Sequence, residues 1–297
     1  MALRGEEAAA LVRKLEIRAR RLMDSPMLGR YDSLFRGHGI EFAEVREYTP
    51  GDPFQAIDWK VTARMGRPFV KRFVEERELT VLLVLDVSRS TDFGSRTRTK
   101  LELGREVASV LAYAAGQKND RVGLILFTDR VERLVEPARG RHHMRRLLYE
   151  MVTVQPEGCA TDLSVALSTA SRHLRRRSLV FVLSDFQGPS FERALSALTR
   201  RHEVVAVQLE DPAERALPRA SLVEVVDPET GARTVLDLGS SRVRRDFAER
   251  REAASESLVG VLRKAGCERL LLHTEEPWVP ALLTFLATRS RGRRRAG

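Results

Sequence analysis

Thr80-Val-Leu-Leu-Val-Leu-Asp86-Val-Ser88-Arg-Ser90 is the stretch on which the fold turns. Thr80 to Leu85 is almost pure Val and Leu, the composition of a strand buried on both faces inside a parallel sheet. The run stops at a carboxylate, followed by two hydroxyls at alternate positions. In an extended segment residues i, i+2 and i+4 face the same way, and a turn just past the strand converges them. Three oxygen side chains at the carboxyl end of a central strand make half of a site for a hard divalent cation. Open α/β sheets bind ligands in the crevice beyond such strand ends. A bare cap of the following turn by Asp86 and Ser88 is the alternative that this stretch alone leaves open.

Downstream, the loop Pro156-Glu-Gly158-Cys-Ala-Thr161-Asp162-Leu163 runs into a helical pattern, Leu163, Ala166, Leu167 and Ala170. A second apolar run, Leu179-Val-Phe-Val-Leu183, ends in Ser184-Asp185-Phe186. A hydroxyl at a loop-to-helix junction and a second carboxylate at a strand end thus join the first trio. Strands that alternate with helices argue for an α/β fold, a doubly wound, mostly parallel sheet with helices on both faces.

Asp86-x-Ser88-x-Ser90, then Thr161, then Asp185 resembles the metal-ion-dependent adhesion site of von Willebrand factor A domains. The resemblance implies one Mg²⁺ or Mn²⁺ among these five side chains, some binding directly and some through water. It also implies a coordination position left open for an Asp or Glu carboxylate of a protein partner. Electrostatics supports this. Two carboxylates facing one crevice repel, and without a cation one pKa must rise. A divalent ion relieves that conflict, and neutral hydroxyls complete its shell without adding charge. Two carboxylates and neutral hydroxyls leave the ion able to attract an external anion.

Upstream, Gly37-x-Gly39-x-Glu41-Phe42, Arg46-x-Tyr48-x-Pro50-Gly51-Asp52, Ile57-Asp58-Trp59 and Ala63-Arg64 resemble the signature of domain-of-unknown-function family 58, bacterial A-domain-like proteins. This resemblance covers nearly the whole chain. It implies a partnership with a MoxR-type AAA+ ATPase, in complexes that remodel or mature other proteins. Many of those relatives carry N-terminal membrane helices; this sequence shows none, which places it with a short, soluble branch. Read from the residues themselves, Arg46, Asp52, Asp58 and Arg64 are expected to form a polar network pinning the block to the sheet. Phe42, Tyr48 and Trp59 are expected to serve a core. The alternative is a partner-docking face made of Trp59 and that network, which would leave Trp59 accessible to solvent. His38, in a Gly-flanked loop with no second ligand at metal spacing, is expected to be structural or solvated.

Composition bounds the remainder. The chain of 297 residues has room for one α/β domain and a smaller attachment. The expected division is 1–78 for an N-terminal helix and signature block, an α+β extension, then 79–275 for the A-like domain. Residues 276–297 would form a closing helix with an Arg-rich tail. No run approaches the ~18 apolar residues of a bilayer span, and no signal-peptide pattern opens the chain. Cys159 and Cys267 allow one disulfide, but free thiols in a reducing cytosol fit better. The expectation is a soluble cytoplasmic protein. The net charge is +10, yet only six of the 51 basic residues are Lys; so heavy an Arg bias looks compositional rather than a selected phosphate patch. The basic runs are short and scattered, and no recognition helix or stacking motif accompanies them, so no specific nucleic-acid partner is expected.

Between these landmarks, helices are expected over residues 6–24, 101–116, 144–152, 191–200 and 242–265, and from Pro280 onward. Strands are expected over 40–48, 69–76, 121–127 and 203–209, with a short one over 269–273. Residues 131–135 would form an antiparallel edge hairpin with the strand before them. Asp227-Pro-Glu-Thr-Gly231 marks a turn between two further short strands. His142 and His143 are adjacent and point to different faces, which argues against a zinc site.

Three functions compete. A metal-gated binding module gripping an acidic side chain is the favoured one, with no catalytic residue of its own. A metal-dependent phosphoester hydrolase needs a base or nucleophile beside the metal; no His or Lys accompanies Asp86, Thr161 or Asp185 locally. Only Glu157 and Asp162 stand near, and Asp162 is expected to cap or orient its loop. A basic nucleic-acid binder is the third. With no Walker-type phosphate loop, ATPase activity would reside in the partner.

Overall fold

The computed structural model describes residues 5–23, 44–52, 54, 57–72, 79–227, 229 and 231–296. In chain order they form α1 (Gly5–Met23), β1 (Glu44–Glu47), α2 (Trp59–Met65), β2 (Phe69–Arg72), β3 (Thr80–Asp86), α3 (Lys100–Gln117), β4 (Arg121–Phe127) and β5 (Val131–Ala138). There follow α4 (Arg141–Thr153), α5 (Leu163–His173), β6 (Leu179–Ser184), α6 (Glu192–Thr199), β7 (Glu203–Glu210) and the short α7 (Pro212–Arg215). The last elements are β8 (Leu222–Val226), β9 (Arg233–Asp237), α8 (Ser241–Lys264), β10 (Glu268–His273) and α9 (Trp278–Ala296). Residues 24–43, with His38, Phe42 and the Gly37-x-Gly39-x-Glu41 part of the signature, lie outside the described residues.

Two compact units emerge: Met1–Gly29 with Leu79–Phe285, and Arg30–Glu78 with Leu286–Gly297. Segments are therefore grouped differently from the expected division. The apolar stripe of α1 explains its share of the difference. Ala8 and Ala19 are buried, and the helix packs on α3 and α4, with Arg18 paired to Glu106. Leu11 and Ile17, expected in that stripe, are exposed.

The larger unit is built on one six-stranded sheet, ordered β10-β7-β6-β3-β4-β5. All neighbours run parallel except β4 and β5. That antiparallel edge is the expected hairpin, and the doubly wound α/β architecture is as expected. Because β3 is paired on both sides, its side chains alternate between two covered faces. Leu82 and Val84 meet Ala166, Leu167 and Leu198 of α5 and α6 on one face. Val81, Leu83 and Leu85 point to the other, where α3 lies against β3. At ~25 cal/mol per Å² of apolar surface, a two-faced core of this kind is the main source of stability. The chain leaves β3 toward β4 and leaves β6 toward β7, in opposite directions along the sheet. The carboxyl ends of β3 and β6 thus flank the switch point, where a crevice opens.

In the smaller unit β1 and β2 pair antiparallel. Arg46 Nη2 donates to Asp52 Oδ1 at 2.6 Å and Arg46 Nη1 to Thr49 Oγ1 at 2.8 Å, closing the Pro50-Gly51 turn on its own strand. Asp58 caps α2, accepting from the Lys60 and Val61 amides. Arg64 is exposed on that helix. Of the four expected network residues, Arg46 and Asp52 pair with each other and Asp58 caps a helix. Tyr48 is half-buried with its ring 5.9 Å from Phe54. Trp59 is 67% exposed, which overturns its expected core role: it opens a seven-residue helix that buries none of its residues.

Two short helices, α2 and α7, had no counterpart in the expected elements, and α4 begins three residues early, so both histidines fall in its first turn. His143 Nε2 bonds the Val122 carbonyl at 2.7 Å. Cys159 and Cys267 are free thiols. Among the described residues no helix is long and apolar enough to cross a membrane.

Candidate functional site

At the end of β3 the Asp86 carboxylate is fully buried. Its Oδ1 accepts from the Ser88 amide at 2.9 Å and its Oδ2 from the Ser184 hydroxyl at 2.6 Å. The bond from Ser184 ties the end of β6 to that of β3. Ser88 and Ser90 turn inward, their hydroxyl oxygens 3.1 Å apart. A helical turn over Arg89–Asp92 follows, fixed by the Thr91 hydroxyl donating to the Ser88 carbonyl at 2.7 Å. Burial pushes the Asp86 carboxyl up to about 7, and the negative charge of Asp185 adds to it; bonds from Ser184 and Ser88 work against the rise. Desolvation is the larger cause of that rise and the second carboxylate in the crevice the smaller one.

Thr161 arrives on a loop hung from the β4–β5 turn. Glu132 accepts the Glu157 amide at 3.1 Å and the Gly158 amide at 2.9 Å. The Thr128 hydroxyl donates to Glu132 at 2.6 Å, and the Thr128 carbonyl accepts the Asp162 amide at 3.0 Å. Burial would raise the Glu132 carboxyl, but the bonds it accepts from Thr128, Gly158 and Glu157 outweigh that and hold it below its ordinary range. Gly158 has no room for a side chain: a Cβ would lie 2.1 Å from Thr128 Oγ1. Asp162 caps α5 by accepting the Ser164 amide at 2.9 Å, as expected of it. The Thr161 hydroxyl then stands 2.8 Å from Ser88 Oγ and donates to Glu229 Oε1 at 2.7 Å.

The β6 end supplies Asp185, whose Oδ1 accepts the Gln187 amide at 3.1 Å. Its Oδ2 accepts from Lys100 Nζ at 2.7 Å, and the same ammonium donates to Glu214 Oε1 at 2.7 Å. Burial would lower the Lys100 pKa, but the charges of Asp185 and Glu214 outweigh it and raise the value. Phe186 follows with φ 57°, in left-handed backbone that costs a non-glycine residue about 1–3 kcal/mol. It is buried beside Phe191, and its amide donates to Ser184 Oγ at 3.0 Å. This kink returns the chain to Gly188, at φ 128°, where a Cβ would stand 2.7 Å from the Thr161 carbonyl oxygen.

Asp86, Ser88, Ser90 and Thr161 are joined by a hydroxyl chain, and Asp185 lies close enough for its charge to act on Asp86. Four contributors were not foreseen: Lys100, Glu132, Glu214 and Glu229. Lys100 also corrects the expectation that no lysine stands beside these residues; it comes from the first turn of α3 and neutralises Asp185 from within. Glu157 is exposed. Trp59, Arg46, Asp52, Asp58 and Arg64 belong to the smaller unit.

No group of three His, Cys, Asp or Glu able to hold a metal is found among the described residues. The donor set is instead two carboxylates and three hydroxyls, all hard oxygens. It fits Mg²⁺ or Mn²⁺ rather than zinc or copper, and among the described residues no cationic side chain bonds the buried Asp86 carboxyl.

Among known proteins, the uncharacterized protein Rv1480 of Mycobacterium tuberculosis is 33% identical, covering 98% of this chain and 93% of its own. The uncharacterized protein YeaD of Bacillus subtilis is 39% identical over 56 residues, 19% of this chain and 14% of that one. Solved structures that superpose include BatB of Bacteroides thetaiotaomicron, at 15% identity and TM-score 0.46, covering 72% of this chain and 99% of that one. The SpRpn10 VWA domain superposes at 11% identity and TM-score 0.37, covering 70% and 94%. A family model described as "protein of unknown function DUF58" matches residues 44–257, and the chain belongs to that family.

Proposed function

We propose that this chain is a metal-gated protein-interaction module. One Mg²⁺ or Mn²⁺ is held by Asp86, Ser88, Ser90 and Thr161. Asp185, with both oxygens already engaged, contributes through water. The ion, when bound, supplies a positive centre with an exchangeable position for a carboxylate. The chain's residues do the rest. Ser184 and the Ser88 amide orient Asp86, the Glu132-anchored loop presents Thr161, and Lys100 limits the negative charge at Asp185. A protein partner offering Asp or Glu binds at the crevice between β3 and β6. The partnership with a MoxR-type AAA+ ATPase, in remodelling or maturation of other proteins, rests on the family resemblance.

The observation carrying this reading is the convergence of three hydroxyls from two segments, at 3.1 and 2.8 Å, beside a fully buried carboxylate at the sheet's switch point. Hydrolysis gains little from the same geometry. Lys100 is held protonated by two carboxylates, so it is no general base. Calorimetric titration tests the reading: Mn²⁺ should bind with one site per chain, and Asp86→Ala should abolish the heat. Equal binding by the variant would end it. Capture of the AAA+ ATPase should fail in the presence of chelator, and hydrolysis of a generic phosphate ester with Mn²⁺ should stay at background.

A further inference from the structure

The β8–β9 hairpin pairs with no strand of the main sheet. Its strands are open to solvent: Leu222 is 70% and Val235 63% exposed. Its tip is not. Glu229 is half-buried, and its carboxylate accepts from the Thr161 hydroxyl at 2.7 Å. Asp227 builds the turn that presents it. Asp227 Oδ1 accepts the Glu229 amide at 2.8 Å and the Asp227 carbonyl accepts the Gly231 amide at 2.8 Å. The Asp227 amide donates to the Ala232 carbonyl at 2.9 Å. At its base the hairpin is closed by the Leu238 amide on the Ser221 carbonyl.

Glu229 brings a carboxylate onto the Thr161 hydroxyl, which itself stands on Ser88 Oγ, and a cation among these oxygens would favour a carboxylate there. Glu229 also stands on one of the oxygens that the proposed function gives to the ion, the hydroxyl of Thr161. We propose that Glu229 is a built-in ligand: it fills the carboxylate position of the oxygen site, and an acidic protein partner binds by displacing the hairpin tip. This rests on the metal-site reading given above. It assigns the hairpin a role as an internal competitor that sets how strong an external Asp or Glu must be. Among the described residues β8 and β9 pair with each other and not with a strand of the main sheet, so displacing the tip breaks no pairing of that sheet.

Water-proton relaxation of bound Mn²⁺ tests this on the full-length chain, since the enhancement counts the exchangeable waters on the ion. Glu229→Ala should bind Mn²⁺ with higher relaxation enhancement than wild type, as water enters the vacated position, and with affinity lower by roughly tenfold. Titrated acetate should lower the enhancement of the variant at concentrations that leave wild type unchanged. Glu229→Gln, which keeps the shape and removes the charge, should behave as the alanine variant does toward acetate. Identical enhancement and acetate response in all three proteins would overturn the proposal and leave the metal site standing. Loss of all Mn²⁺ binding in both variants would make Glu229 a permanent ligand and equally overturn displacement. Failure of wild type itself to bind Mn²⁺ would remove the site, and the proposal with it.

Discussion

Lys100 is the side chain that most changes how the site is understood. It is fully buried between Asp185 and Glu214, and breaking a buried pair by removing one partner costs about 3–5 kcal/mol. Lys100→Met should destabilise the protein by that order in chelator, read from urea denaturation. It should also raise Mn²⁺ affinity, because Asp185 then faces the ion uncompensated; a variant with unchanged affinity would show that Lys100 does not regulate the site's charge. Asp86 carries the pH dependence. In metal-free protein its carboxyl titrates near 7, against about 4 in an unfolded chain. Below about pH 4 both states are protonated. Between there and 7 the folded form keeps a proton that the unfolded chain has released, so stability should decline as pH rises through this window. Subtracting the melting profile of Asp86→Asn isolates the effect, and a flat difference would contradict it. The five oxygen residues drew notice in the sequence because Asp86 and Asp185 stand at the ends of apolar runs, Ser88 and Ser90 alternate with Asp86, and Thr161 precedes a helical pattern. Lys100 was harder to see. The inward stripe of α3, Leu103, Val107 and Leu111, extends back one turn to position 100, so an inward lysine was the available signal. Glu229 gave none: only tertiary placement of a hairpin brings it to Thr161.

At the scale of elements, two loops position the chemistry, and each depends on a glycine. Gly158 lets the Thr161 loop touch Thr128, and Gly188 lets the β6 loop touch Thr161. Gly188→Ala places a Cβ against backbone at a residue whose φ disfavours any side chain. It should shift Thr161 and weaken Mn²⁺ binding by roughly tenfold or more, with a stability cost of about 1–3 kcal/mol. Gly140→Ala is the control. Its φ is 95°, and a Cβ added there would meet nothing within 4 Å, so it should lose stability and keep its metal affinity. Equal metal affinity in both variants would mean that the loop contact does not place Thr161. The long elements were readable because periods of 2 and 3.6 persist where a face is buried. The short α2 escaped for the opposite reason: it buries none of its residues, so no stripe marks it, and only the Asp58 cap and Gly66 at φ 68° bound it. The same lack of burial turns Trp59 outward, contrary to what an aromatic residue would suggest.

At the scale of the molecule, the expected boundaries misplaced α1 because sequence adjacency to the signature block says nothing about which surface its apolar stripe covers. That stripe lies on α3 and α4, in the unit that carries the metal-site candidates. All five of those candidates, with Lys100 and Glu229, fall in the Leu79–Phe285 part of that unit. Ligand linkage should therefore act on it alone. Free Mn²⁺ at about 100 times its dissociation constant stabilises a folded unit by about 2.7 kcal/mol. For a unit of this size that corresponds to a rise in Tm of roughly 5–10 °C. Differential scanning calorimetry should show the main transition moving by this amount with Mn²⁺ and returning with chelator, while any separate transition of the smaller unit stays fixed. Asp86→Ala should melt at one temperature in both conditions. A metal shift that survives in Asp86→Ala would place the ion elsewhere, because no other part of the proposed donor set can replace a buried carboxylate at the centre of the sheet.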